Sequence, residues 1–409
     1  MGRHMPRLRL GPPLWLDTDR KSAELPALDQ TLPVDVAVVG GGITGVSTAW
    51  MFAKAGLRVG LVESARIARG STAASTALLM QEPDSDFVEL AARYGTRRAR
   101  RAWQLSRKAT RKLIRTLDAL DIACALSERD SIYYATRADS ARRLRAEFSR
   151  RAAAGLRGRW LDEDGLGRIT GIAGKGAIRT SGNGQADPYR ACLGLARAAR
   201  REGARLFERS PVERIETNRH GVAVITPKGR LEADHVIIAT GYATPFFKPL
   251  TGRFRLLNTY VAATRRVTAP ERRALGLGDV MLWDTARPYH YARWTADHRL
   301  LFGGGDRPRV TGKQRVRAFH ESVVALRQHF ERLLPPLAAI DVEFAWEGLF
   351  ATTPDGLPYI GPHRDYPRHL FALGYGGNGM TFGFLAAQLL LECYQGKNSG
   401  DQRLFAFDR

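Results

Sequence analysis

Cysteine is nearly absent from this 409-residue chain: Cys124, Cys192 and Cys393 stand far apart, with no CxxC pair among them. That speaks against a cysteine zinc site and a disulfide framework, and it suits a reducing, cytoplasmic setting. Long apolar runs are missing too. No uninterrupted apolar segment approaches the roughly 20 residues that a membrane-spanning helix needs, and the N-terminus has no cationic segment followed by an apolar one. The opening MGRHM reads as an expression-vector remnant, with the natural start expected at Met5. Internal repeats and low-complexity linkers are likewise absent. Neither a Ser-His-Asp set nor a cluster with metal-ligand spacing is legible, so no metal is expected.

Acidic residues are in deficit: 41 against 63 lysines and arginines, for a formal charge of +22. The excess is nearly all arginine and is densest in RYGTRRARRAWQLSRKATRKLIRTL, residues 93 to 117. This stretch reads as a helix with Trp103, Leu113, Ile114 and Leu117 available to face inward. One reading of the charge is an anion surface for nucleic acid, an acidic partner or an acidic substrate. The other is a solvated helix face, and it is preferred because no nucleic-acid motif accompanies the charge. At 44 % apolar and 25 % charged residues, the composition is that of a folded globular chain able to bury one large core or two joined ones.

Glycine is what the chain has at a telling place. Residues 34 to 64 read VDVAVVGGGITGVSTAWMFAKAGLRVGLVES. The first six residues lack polar alternation, as a central parallel strand covered on both faces does. Gly40, Gly42 and Gly45 then fit GxGxxG: a tight turn, a close backbone approach to a pyrophosphate, and close packing of helix on strand. A helix to Gly56 and a second strand follow, and Glu63 stands where an acid can take the ribose hydroxyls of an adenosine. The motif alone does not separate NAD from FAD. Beyond it, SARIARGSTAASTALLMQ sets Gly70 among the hydroxyls of Ser71, Thr72, Ser75 and Thr76, which suits either a long cofactor lying on backbone or an ordinary polar loop. Farther on, a helix starting at Asp187-Pro188, a strand ARLFE, a short β-meander and the buried strand HVIIATG resume the nucleotide-binding pattern.

Four segments in this order, VVGGGITG with Glu63, ARGSTAAS, VIIATGYAT, and the pair EGLFATTPDGLPYIG with LFALGYGGNGMTFGFLAAQLL, resemble the D-amino acid oxidase superfamily of FAD-dependent oxidoreductases. The resemblance spans about residues 30 to 395. It implies that Gly40, Gly42, Ile43, Thr44 and Gly45 wrap the pyrophosphate, and that Glu63 with Ser64 meets the adenosine ribose. Arg69, Gly70, Ser71, Thr72, Ser75 and Thr76 would run under the flavin. Val212 would back the adenine, and Thr240 and Gly241 would close the nucleotide site. Gly376, Gly377, Asn378, Gly379, Met380 and Thr381 would bring amides to the pyrimidine side of the ring, where reduced flavin accumulates negative charge. The family's cysteine for covalent FAD has no counterpart in WEGLFATTPDG, so the FAD is expected to be non-covalent. The family's carboxylate-binding arginine beyond the serine-threonine loop falls near Met80.

The fold expected is α/β: a Rossmann-like FAD-binding domain from residues 31–85, 185–250 and 345–405, joined to a discontinuous α+β substrate domain from 86–184 and 251–344 built on an antiparallel sheet. In PYHYARW, Tyr289, Tyr291 and Arg293 share one face of a strand and His290, Ala292 and Trp294 the other. A Tyr/Arg pattern in this strand of related enzymes makes Tyr291 and Arg293 the substrate-contact candidates; the alternative is a surface arginine and an edge tyrosine, with His290 a structural histidine. The expected activity is oxidation of a C-N bond of a small amine or amino acid, with reoxidation by oxygen or another acceptor. The alternatives are a same-fold enzyme acting on a C-O bond or a larger anionic substrate, and a flavoprotein subunit that docks through the arginine-rich helix.

Overall fold

In the computed structural model, residues 10–17, 24–397 and 399–409 are described; the MGRHM segment lies outside them. The strand Val36–Val39, the helix Ile43–Lys54 and the strand Val59–Val62 follow one another as the glycine pattern predicts. Gly56, at φ +86°, takes the chain out of the helix in a conformation that costs a glycine little. These two strands occupy the middle of a six-stranded sheet ordered 359–363, 366–373, 235–241, 36–39, 59–62 and 205–207. Its last five strands are parallel and only the 359–363 edge runs antiparallel. Helices Ile43–Lys54, Thr96–Ala119, Pro188–Arg201 and Gly379–Tyr394 bury their apolar faces in one core against the sheet. A four-stranded sheet of 31–33, 230–233, 222–225 and 214–217 packs on the other face through a separate apolar cluster. Such double coverage is why Val36–Val39 reads as an unbroken apolar run.

The second layer is a nine-stranded sheet in the order 342–352, 255–264, 300–308, 290–294, 281–284, 127–134, 177–185 and 78–79, with 159–161 also paired to 177–185. It is antiparallel except where 281–284 runs alongside 127–134. Helix Gln314–Leu333 packs behind it on Phe302, Trp294 and Tyr260. Two strands cross the boundaries expected from sequence. Leu78–Leu79 and Val342–Thr352 both pair into this sheet, so the edges at 85 and 345 shift, because hydrogen-bond pairing with distant strands outweighs proximity along the chain.

The asparagine-free start of the helix at Pro188 is capped by Asp187, whose Oδ1 accepts from the amides of Tyr189 at 2.9 Å and Arg190 at 3.0 Å. The arginine-rich stretch is broken once. Helix Phe87–Tyr94 ends at Gly95, φ +78°, and Thr96–Ala119 begins anew. Trp103, Leu113, Ile114 and Leu117 are buried as expected, while Arg97, Arg100, Arg111 and Arg115 face solvent.

Candidate cofactor and active site

An elongated cavity of about 1020 Å³ lies between the two large sheets. One end is built by the glycine turn, and each glycine there has a different reason. Gly40 sits at φ +112°, and a Cβ would stand 2.7 Å from the carbonyl of Ala239. At Gly45 a Cβ would drive into the carbonyl of Gly40, so this residue packs helix on turn and does not reach the cavity wall. Gly42 is open: a Cβ would meet only Thr72 Oγ1, at 3.2 Å, and would project into the cavity. Ile43 and Thr44 follow on the wall as the first turn of a 12-residue helix whose N-cap, Gly42, has no side chain to cap it; Thr72 Oγ1 takes the Ile43 amide, and the positive dipole end is turned inward.

Glu63 and Ser64 line the same end. Glu63 Oε2 accepts from Gly41 N at 2.7 Å and Oε1 from Ala65 N at 2.9 Å, so the carboxylate also ties the turn to the second strand. Val212, Thr240 and Gly241 form the facing wall.

The loop Arg69 to Thr76 lines the middle of the cavity, including Gly70, Ser71, Thr72 and Ser75. Its hydroxyls are largely engaged with protein. Thr72 Oγ1 accepts from Ile43 N at 3.0 Å, Ser75 Oγ from Ala77 N at 3.0 Å, and Ser71 Oγ donates to Leu349 O at 2.7 Å. Trp346 and Trp15 donate to the carbonyls of Ala74 and Ser75. The loop is therefore a clamp held by both sheets.

At the other end the chain turns at Gly376 and Gly377 into the final helix. Gly376 N donates to Ala351 O at 2.9 Å and Gly377 N to Asp84 Oδ2 at 2.6 Å. These two amides, expected to face a flavin ring, are thus engaged within the protein. What remains for an anionic ring edge is the first turn of helix Gly379–Tyr394, where Gly379 and Met380 line the cavity. Asn378 donates to the carbonyls of Met80 and Glu82, each at 3.0 Å, and its buried Oδ1 has no protein partner. Thr381 is fully buried behind the wall, donating to Met80 O at 3.0 Å.

The cavity wall formed by the second sheet differs from one expectation and adds residues the sequence left unassigned. Tyr291 lines the cavity, and its ring fits because Gly303 stands opposite it in register, where a Cβ would lie 2.5 Å from the phenol oxygen. Arg293 does not line the cavity. It is 2 % exposed and donates to Thr76 O at 2.7 Å, Ala186 O at 2.8 Å and Trp294 O at 3.2 Å. Burial pulls its guanidinium below the ordinary range, and Asp187 supplies the compensating charge. Sharing a strand face with Tyr291 placed it about 7 Å farther along, beneath the loops instead of beside them. The cavity wall takes instead Asp84, Trp283, Arg287, Tyr289 and Phe350. Tyr289 was legible as the face partner of Tyr291; Asp84 carried no local signal. His290 points to the opposite face, where its Nδ1 lies 3.0 Å from Asp284 Oδ2 and its ring stacks on His329 at 3.7 Å.

The whole cavity fits a dinucleotide: bare glycine backbone and helix-start amides at one end, a second helix start at the other, and one continuous chamber between. The DAO family model, described as FAD dependent oxidoreductase, matches residues 35–393. The chain belongs to that family. It is an FAD-dependent oxidoreductase, and FAD is its cofactor. A glycine oxidase of Bacillus licheniformis is 25 % identical over 394 residues, covering 91 % of this chain and 96 % of that protein. The gamma-glutamylputrescine oxidoreductase of Escherichia coli K12 is 27 % identical over 380 residues, covering 92 % and 87 %. The crystal structure of glycine oxidase from Geobacillus kaustophilus superposes with a TM-score of 0.75 at 24 % identity, over 90 % of this chain and 96 % of that one. No helix among the described residues is long and apolar enough to cross a membrane.

Proposed function

We propose that this enzyme oxidises the C-N bond of a small amine or amino acid, giving an imine that water hydrolyses to a carbonyl compound and a freed amine, with oxygen or another acceptor taking the electrons. The observation that carries this reading is the continuity of the cavity from the Gly42 turn to the wall of Tyr289, Tyr291 and Trp283. It offers one space for a dinucleotide and a small molecule stacked against its ring. Two relatives are named for glycine and for gamma-glutamylputrescine, both carrying an oxidisable amine, which favours a C-N over a C-O bond.

Bound FAD supplies the acceptor of a hydride. The chain's own part is orientation and exclusion of water. The turn at Gly42 and Thr44 and the helix start at Gly379 and Met380 would hold the two ends of the cofactor, and the loop 69–76 is tied beneath them by Thr72, which takes Ile43 N, by Ser71 and by the two tryptophan donors. Tyr291, Tyr289, Trp283 and Phe350 wall the chamber against bulk water, which favours the neutral amine needed for hydride loss. The lining contains neither cysteine nor histidine among the described residues, which supports a dissociable, non-covalent FAD.

The test is anaerobic titration of the purified yellow protein with a panel of amines and amino acids, followed by peroxide detection in air. Bleaching by at least one amine is expected. A protein that stays colourless when supplied with FAD, or flavin that no amine bleaches, overturns the proposal.

A further inference from the structure

The cavity wall of this +22 chain carries three acidic side chains and three arginines, unevenly placed. Arg66 and Arg69 stand with Glu63 at the nucleotide end, while the end formed by Gly376, Gly377 and Tyr291 carries Glu82 and Asp84. The one arginine on that wall, Arg287, is half exposed and faces Asp86 at 3.9 Å. Glu82 is already satisfied, with Ser131 Oγ at 2.8 Å and Asn183 Nδ2 at 3.2 Å.

Asp84 differs. Its Oδ2 accepts from Gly377 N at 2.6 Å, and Oδ1 accepts no hydrogen bond from the described residues. A Cβ built on Gly377 would meet the Tyr289 hydroxyl and stand 3.4 Å from Asp84 Oδ1, so carboxylate and phenol converge on one point beside the turn into the final helix. The glycine pair is what lets them approach.

We propose that Asp84 binds the ammonium group of the substrate and accepts its proton, and that the substrate is an amine without a carboxylate on the reacting carbon. This rests on the C-N oxidation proposed above and narrows it. An ammonium entering the chamber gives one N-H proton to Asp84: the N-H bond breaks, an O-H bond forms, and the pair stays on nitrogen. That pair then forms the C=N bond as the α-hydrogen leaves with its electron pair to the oxidised cofactor. The proton on Asp84 returns to solvent after the product leaves.

The electrostatics suit an acceptor. Burial pushes the Asp84 carboxyl up to about 7; Gly377 N-H opposes this, Asp306 on the strand 300–308 adds to it, and Arg287 opposes it. Tyr289, which faces this point, and its neighbour Tyr291 stay protonated because burial raises their hydroxyls. A carboxyl near 7 takes a proton from an ammonium far more readily than an ordinary aspartate does.

The test uses the FAD-loaded enzyme and two isosteric probes with no α-hydrogen, tert-butylammonium and pivalate, measured by calorimetry. The ammonium is expected to bind at least tenfold tighter than the carboxylate, and its affinity to fall about tenfold per pH unit below 7 as Asp84 becomes protonated. Asp84→Asn, which keeps an oxygen for Gly377 N, should weaken tert-butylammonium at least tenfold and slow anaerobic flavin bleaching most for amines of high pKa. Pivalate binding as tightly as the ammonium, or an Asp84→Asn enzyme with unchanged ammonium affinity and pH profile, overturns the assignment. If that variant loses FAD, the wild-type probe ratio and its pH dependence decide alone. Bleaching of the wild type by amines alongside either overturning result sinks only the role of Asp84; no bleaching by any amine sinks both proposals.

Discussion

The guanidinium of Arg293 donates to the carbonyl of Thr76 at 2.7 Å and to that of Ala186 at 2.8 Å, while its charge lies 5.3 Å over the ring of Trp15. A residue that reads as a substrate contact thus fastens the loop 69–76, at Thr76, to the second sheet. Arg293→Ala strands two buried carbonyls, each costing about 1–3 kcal/mol. The expected result is a lowered melting temperature and weaker FAD retention, with the ratio of KM values for an anionic and a neutral-tailed amine unchanged. A selective rise in KM for the anionic substrate would return Arg293 to the site.

The glycines of the turn separate by consequence. Gly42→Val projects its side chain into the cavity and should abolish FAD retention while the apoprotein keeps its far-ultraviolet spectrum and a cooperative melt. Gly45→Ala forces a methyl against the Gly40 carbonyl and should cost about 3 kcal/mol or more, visible as lost soluble protein. A Gly42→Val enzyme that stays yellow would contradict the placement of the dinucleotide.

The motif TTPDG holds its aspartate for a structural reason. Asp355 receives Arg409 Nε at 2.7 Å and Nη2 at 2.8 Å, the Thr353 hydroxyl at 2.9 Å and Leu357 N at 3.1 Å, and the pair is almost fully buried. Burial alone would raise this carboxyl; Arg409 and the Tyr94 and Thr353 hydroxyls outweigh it and hold it at about 2. Because the folded value lies below the ordinary 3.8, the pair's stabilisation is complete above that pH and is lost as pH falls from 3.8 through about 2. Arg409→Gln leaves a buried carboxylate unpaired and should cost about 3–5 kcal/mol at pH 7. Acid melts of wild type and variant should converge below pH 2; a constant gap across that window would contradict the assignment.

His329 adds a second loss of stability on the acid side, at higher pH. Burial, then the charge of His290, holds its imidazole down at about 4, with Asp284 opposing. The folded value lies below the ordinary 6.5, so the unfolded chain binds a proton that the folded one does not, and stability falls as pH drops from 6.5 to about 4. His329→Gln should flatten the melting temperature across that interval.

The arginine-rich helix should be tolerant. Arg97, Arg100 and Arg115 are exposed, and changing all three to glutamine should move stability by no more than about 0.5 kcal/mol each and leave amine-driven bleaching unchanged. A large loss of activity would point to a partner or an anionic substrate on that face.

The nucleotide half was legible because its signals are local: an apolar strand, glycines at fixed spacing, a helix and an acid all fall within about 30 residues, and each is dictated by backbone sterics. The helix start at Asp187 and the inward face of the arginine-rich helix were legible for the same reason. The second sheet was legible only as alternation. Period-2 patterning states which side chains share a face, yet not how far along the strand the cavity extends, and that distance put Tyr291 in the chamber and Arg293 beneath the loop. Asp84, Trp283 with Tyr289, Phe350 and Gly377 meet from four separate stretches of chain. Tertiary pairing alone brings them together, so which charges meet at that end of the cavity, Glu82 and Asp84 with Arg287, was decided by the fold.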